Sequence, residues 1–296
     1  MTPGAALVER EFQGQRCVEI TLPQGDRALV SLFGAQVLSW QTADAQERFY
    51  LSPRAVMDRS APIRGGVPIC FPQFNQRVIA GYALPKHGCV RNQVWAVSEL
   101  MQTNEFAEVS LALVSNAETL AVWPYWFNAT VSVRLEAGRL RIVFNVSNPG
   151  TDAFSFALAL HGYLAVSDIE ITQLDGFGSR MYWDAVGNLH QPEIRREQPM
   201  GPFTFDGEID RIYSSVETPL ELTCAASSLR ITQSANLPDT VVWNPGAKLC
   251  AKLTDMPEEG WRHMVCVEAA RIHDPQRLAP GESWSGWQQF EAVPPA

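Results

Sequence analysis

Apolar residues recur at every second position along much of the chain, as in Val18, Ile20 and Leu22 or Val109, Leu111 and Leu113, with polar residues between them. That period turns one face of an extended strand toward a core and the other toward water, and no helix satisfies it. Val131, Val133 and Leu135 are followed by Leu140, Ile142, Phe144 and Val146 across the link Glu136-Ala137-Gly138-Arg139. A Gly-containing connection of this length predicts a hairpin. Leu220 and Leu222 with Leu229 and Ile231 predict a second, and the stretch from Trp284 to Phe290 closes the series. Antiparallel sheet should dominate.

The best helical candidate, Asp255 to Met264, carries Pro257 and Gly260 inside it, and both weaken a helix interior. Many short strands, together with 20 Gly and 20 Pro, predict an all-β fold: a large antiparallel β-sandwich with few short helices. The 296 residues show no internal repeat and no low-complexity linker. A single domain over residues 1–296 is therefore expected, since all-β folds often run to ~200–250 residues as one unit. The stretch from Gln191 to Pro202 has the weakest pattern and is expected to form a long surface loop.

Charge and cysteine usage narrow the functions open to such a fold. A formal charge of −9 and a pI near 5.1 oppose nucleic-acid binding, which needs a basic surface. No run of about 18 apolar residues could span a bilayer. The opening Met-Thr-Pro-Gly-Ala-Ala lacks the basic-then-apolar order of a signal peptide. Cytoplasmic location and no membrane partner are expected, so Asn128-Ala129-Thr130 and Asn145-Val146-Ser147 read as chance matches to the glycosylation pattern. Cys17, Cys70, Cys89, Cys224, Cys250 and Cys266 form no C-x-x-C pair, and most sit in apolar contexts, which predicts reduced, buried thiols. The five histidines show no metal-ligand spacing, and no strand runs into G-x-G-x-x-G. Neither a metal nor an organic cofactor is expected.

Two polar residues interrupt stretches that otherwise read as core strand: His161 in Phe156-Ala157-Leu158-Ala159-Leu160-His161-Gly162-Tyr163, and Glu268 in Met264-Val265-Cys266-Val267-Glu268-Ala269-Ala270. A carboxylate walled in by apolar neighbours is costly unless something pairs with it. Catalysis is one reason to keep it there, because an imidazole and a carboxylate brought together form a general acid and a general base. A structural His and Glu satisfied by backbone groups is the alternative.

Arg64-Gly65-Gly66-Val67-Pro68 sets a cation before two glycines, and Lys86-His87-Gly88-Cys89-Val90-Arg91 adds two more cations and an imidazole. Glycines allow close backbone approach to a ligand, and Arg grips phosphate through its planar fork. Three cations in an acidic chain suggest an anion site; a sheet-edge turn and ordinary surface charge explain the same letters. Asp210-Arg211-Ile212-Tyr213 and Val242-Trp243-Asn244-Pro245-Gly246 have sugar-binding character, with a carboxylate to accept hydroxyl protons and an aromatic face to stack on a pyranose. Each is equally explained as structure.

Taken together and in this order, Arg64-Gly65-Gly66-Val67-Pro68, His87-Gly88 with Arg91, Leu160-His161-Gly162-Tyr163 with Val166-Ser167-Asp168-Ile169, Asp210-Arg211-Ile212-Tyr213, Trp243-Asn244-Pro245 and Met264-Val265-Cys266-Val267-Glu268 resemble the aldose 1-epimerase family, in its hexose-6-phosphate branch. The resemblance implies a galactose-mutarotase-like supersandwich and an enzyme that interconverts the α and β anomers of a hexose 6-phosphate. It implies His161 as general acid, Glu268 as general base, and Arg64, His87, Arg91 and Asp210 around the sugar or its phosphate; the charge of Lys86 is expected to join them there. Gly162 and Lys86 depart from residues common in that family at these positions.

The chemistry suits the residues independently. A base takes the proton of the anomeric hydroxyl while an acid protonates the ring oxygen; rotation about C1–C2 and reclosure then give the other anomer. Glu268 is expected to be ionised and His161 protonated, the apolar wall raising the carboxyl pKa and the carboxylate supporting the imidazolium. The side chains are expected on opposite flanks of a hollow wide enough for one pyranose. A glycoside hydrolase using Asp210 and Glu268 is a second reading, and a non-catalytic sugar-phosphate sensor is a third. A monomer is expected, because a sandwich of this length needs no partner to bury its core.

Overall fold

The computed structural model describes residues 6–76, 78–79, 81–188, 191–215, 219–225 and 227–293. The first predicted hairpin is Asn128–Glu136 against Arg139–Ser147, with Val131 opposite Phe144 and Val133 opposite Ile142. Every second residue of both strands is buried. Leu220–Cys224 and Ser227–Gln233 make the second hairpin. Ser283–Val293 joins the two, pairing with Arg139–Ser147 on one side and Ser227–Gln233 on the other.

Among the described residues these strands belong to a nine-stranded sheet bounded by Phe203–Thr204 and Ala96–Gln102. A second sheet runs in the order Arg195–Glu197, Met181–Asp184, Ile209–Tyr213, Asp239–Asn244, Met264–Leu278, Phe154–Leu160, Ile69–Cys70, and Tyr163–Ala165 also pairs with Met264–Leu278. The observed pairings are antiparallel throughout both sheets. Their inner faces form one core in which Val131, Phe144 and Phe290 of the first sheet join Leu158, Val265 and Val267 of the second. Phe71 bridges them, with ring centroids 5.2 Å from both Phe144 and Phe156. A four-stranded sheet, Ala6–Phe12, Gln15–Thr21, Arg27–Ser31 and Val37–Gln41 in chain order, adds Val18, Ile20 and Val30 to the same core.

Two local expectations change. Asp255–Met264 forms turns and a short 3-10 segment at Gly260–His263, because Pro257 offers no N–H and Gly260 favours the open chain. The short α-helices lie at Ala117–Val122, Ala185–Asn188 and Gly246–Cys250. Within the expected loop from Gln191 to Pro202, Arg195–Glu197 is an edge strand on Met181–Asp184. A three-residue edge strand buries too little to show apolar alternation. No helix of the described residues is long and apolar enough to cross a membrane.

Candidate active site

Leu160 pairs with Ala269 and Tyr163 with Cys266. Carrying that register through the gap between the two ladders sets His161 directly opposite Glu268. The gap is closed by other bonds: the His161 N–H donates to the Pro68 carbonyl (2.9 Å) and the Val267 N–H to the Gly162 carbonyl (3.1 Å). On the next strand Val241 stands opposite Glu268 and Trp243 opposite Cys266, and Asp210 stands opposite Trp243. Strand alternation puts His161, Tyr163, Cys266, Glu268, Trp243 and Asp210 on one face of the sheet. Val265, Val267 and Ala269 point the other way, into the core between the sheets.

Two small apolar clusters flank Glu268 on its own, outer face. One holds Cys70, Phe74, Ala159, Ile212, Val241 and Ala270, and the other Tyr163, Cys250, Met256, Met264 and Cys266. Between them His161 Nε2 lies 3.3 Å from Glu268 Oε1. Glu268 is 0% exposed and His161 8%. The Tyr163 ring stacks on the imidazole at 4.9 Å and 11°, while His87 and Trp243 meet it edge-on at 5.4 and 6.2 Å. Neither Glu268 oxygen accepts a hydrogen bond, and His161 Nδ1 has no partner. The backbone partners that a purely structural pair would need are missing. The expected opposite flanks are corrected as well: the register makes the two side chains neighbours on one wall.

Burial, reinforced by Asp210, pushes the Glu268 carboxyl well above its ordinary pKa, as expected. The imidazole moves against expectation, down to about 3, through burial and then the charges of Arg91 and Arg64. Desolvation and nearby cations outweigh the single carboxylate. Both shifts favour a proton on the Glu268 carboxyl and a neutral His161 imidazole. Cys266 Sγ, the imidazole and the carboxylate lie within 4.8 Å of one another. Such a cluster is compact enough for a metal ion, but burial drives the Cys266 thiol well above its ordinary pKa, which disfavours the thiolate a metal requires.

Two adjoining hollows open on His161 and share Arg64, Lys86, His87, His161 and Tyr163 as walls. The lobe beside Glu268, about 190 Å³, adds Glu268, Asp210, Trp243 and Phe74. The cationic lobe, about 160 Å³, adds Arg91 and Asp255. All seven residues singled out in the sequence thus meet around one cleft. Arg64 reaches it fixed on two sides: Nε and Nη2 lie 3.0 Å from Asp255 Oδ2, and Nη1 donates to Tyr163 Oη at 3.1 Å. Arg91 donates to the Lys86 carbonyl at 2.7 Å and keeps Nε unpartnered. The Asp210 carboxyl is pushed up to about 6 by burial, with Lys86 opposing the rise.

The glycines act differently from expectation. A Cβ on Gly65 would lie 2.4 Å from the Tyr50 carbonyl oxygen, and one on Gly66 2.0 Å from that of Val37. They let the Arg64 segment thread between strands rather than approach a ligand. His87 adopts φ 63° and its Nδ1 accepts the Asn75 N–H at 3.1 Å, so the neutral ring carries its proton on Nε2. Gly162 faces the core, where a Cβ would meet Phe290 at 3.3 Å, which accounts for the small residue there. Asn244 spends its amide on the Trp261 and Met264 carbonyls, a structural role. Sequence reasoning missed Asp255 altogether, because it sits in a stretch that resembled a helix.

The sandwich has the galactose-mutarotase-like fold. The galactose 1-epimerase of Lactobacillus acidophilus shares this fold at 14% identity with a TM-score of 0.76, covering 99% of both chains. The chain belongs to the aldose 1-epimerase family, whose model matches residues 16–291. A candidate glucose-6-phosphate 1-epimerase of Cenchrus ciliaris is 33% identical over 90% of this chain and 82% of its own. A candidate mutarotase of Salmonella typhimurium, solved by crystallography, is 26% identical with a TM-score of 0.87, covering 97% of this chain and 94% of its own.

Proposed function

We propose that this protein interconverts the α and β anomers of hexose 6-phosphates by acid–base ring opening and reclosure, with no cofactor. The observation that carries the reading is the His161–Glu268 pair, buried, in contact and otherwise unpartnered, beside a lobe lined by Arg64, Lys86 and Arg91. Glu268 takes the proton of the anomeric hydroxyl and His161 gives one to the ring oxygen. Both oxygens are bonded to C1, so neighbouring side chains suit the reaction. Reclosure returns the protons, and direct contact lets the pair restore its starting state.

The substrate itself arms the pair. Its phosphate, seated among Arg64, Lys86 and Arg91, offsets the charges that oppose the imidazolium. The shared proton then moves from Glu268 to His161, leaving a base and an acid without any change in the proton count of the pair. Asp210 accepts hydroxyl protons and the Trp243 ring lines the lobe beside Glu268, where the sugar sits. Names of the relatives support the phosphorylated substrate. The hydrolase pairing of Asp210 with Glu268 is less supported, because Asp210 stands opposite Trp243 in another row of the sheet. A mere sensor would have no use for two unpartnered proton carriers.

We place the enzyme in the cytoplasm as a monomeric single domain. Its six cysteines are unpaired and buried, which suits a reducing compartment, and core residues from Val18 to Phe290 join one cluster. Anomer-exchange NMR of glucose 6-phosphate and of free galactose with the purified protein tests the function. Exchange of glucose 6-phosphate no faster than its spontaneous rate would sink it.

A further inference from the structure

Arg64 stands at the junction of the two lobes and lines both. One edge of its guanidinium is held by Asp255, at 3.0 Å from Nε and from Nη2. Asp255 is itself anchored through its carbonyl, which accepts the Ser52 hydroxyl at 2.7 Å. The other edge donates to Tyr163 Oη at 3.1 Å, and that phenol ring lies parallel to the imidazole of His161. A continuous chain of contacts therefore runs from Asp255 through Arg64 and Tyr163 to the acid. Hydrogen bonds to Asp255 and Tyr163 use two of the five N–H donors of the guanidinium, Nη2 faces Asp255 as an ion pair, and further donors remain for an incoming anion. The lobe sets three cations against one carboxylate, close to the charge of a phosphate monoester dianion.

We propose that Tyr163 is a positioning residue that ties the His161 imidazole to the phosphate-gripping arginine, so that filling the cationic lobe seats the acid for catalysis. Asp255 holds Arg64 ready from the opposite side. Binding energy at the phosphate, remote from C1, is thereby converted into orientation at the reacting centre rather than into affinity alone. The inference rests on the hexose-6-phosphate reading and adds to it a link between the two lobes.

Splitting the substrate in two tests the link. Xylose, a pyranose without the sixth carbon, is assayed for anomer exchange with and without inorganic phosphite as the separate dianion. In wild type, phosphite should raise kcat/KM for xylose about tenfold or more. Tyr163→Phe keeps the stacked ring and deletes the hydroxyl, and should bring that stimulation to within about twofold of none. On glucose 6-phosphate the same variant should lose mainly kcat, by about tenfold, with KM changed less. Asp255→Asn, which touches Arg64 from the other side, should also lose stimulation, so the test does not hang on one variant's folding. Stimulation retained in Tyr163→Phe, or absent from a wild type that turns over glucose 6-phosphate, overturns the link. Failure of wild type on glucose 6-phosphate itself would instead overturn the substrate reading beneath it.

Discussion

The two faces of the Met264–Leu278 strand are equally dry and do different work. On the inner face Val265, Val267 and Ala269 are 0% exposed and packed between the sheets. On the outer face Cys266 and Glu268 are also 0% exposed, yet Glu268 ends there without a hydrogen bond. The inner face is satisfied by packing alone. The outer face retains a buried carboxyl whose oxygens accept no hydrogen bond, at a desolvation cost that packing cannot offset. Burial by itself therefore cannot tell a core from a site; an orphaned polar group within it can.

The contrast breaks most sharply on activity. His161→Ala and Glu268→Gln should each lower kcat for anomer exchange at least ~100-fold with the fold intact. Near wild-type turnover in either, with unchanged circular dichroism, would remove the acid and base assignment. On the inner face, Leu160→Ala, one residue before His161, should cost about 2–5 kcal/mol in denaturant unfolding. Its folded fraction should still turn over substrate. A loss of activity without a loss of stability there would mean that the two faces are not separable.

A smaller effect is expected at the cationic lobe. Arg91→Ala should weaken binding of glucose 6-phosphate by about 10-fold or more, as loss of a charge-assisted hydrogen bond implies. Calorimetry with free glucose should show little change, and equal losses for both sugars would make Arg91 structural.

The smallest effect lies in the pH dependence of stability. The folded carboxyl of Glu268 is raised above its unfolded value by burial, so the unfolded chain loses that proton first and rising pH favours unfolding. Glu268→Gln has no such loss. Its unfolding free energy relative to wild type should therefore improve from pH 5 to 8. His161 runs the other way, because its folded pKa is lowered to about 3: its contribution is lost as pH falls from about 6.5 toward that value. A stability difference that ignores pH would argue that Glu268 is charged in the folded protein.

Period-two alternation determined much of the fold before any coordinates. The hairpins around Gly138 and between Leu222 and Leu229 lie where apolar spacing and turn residues put them. It also exposed His161 and Glu268, since each breaks an apolar run. Alternation has no signal for Arg195–Glu197, an edge strand of three charged residues, nor for the helix at Gly246–Cys250, too short to show a period.

The sequence by itself determined which residue types the site would hold, because a buried charge stands out against apolar neighbours and strand period needs only local letters. Tertiary structure alone decided that His161 and Glu268 share a wall, that Gly65 and Gly66 serve strand packing, and that Asp255 restrains Arg64. Each of these depends on register between strands remote in sequence, or on cations converging from separate loops. Such convergence also turned the imidazole pKa downward, since desolvation and Coulomb interactions follow distance in space and not separation along the chain.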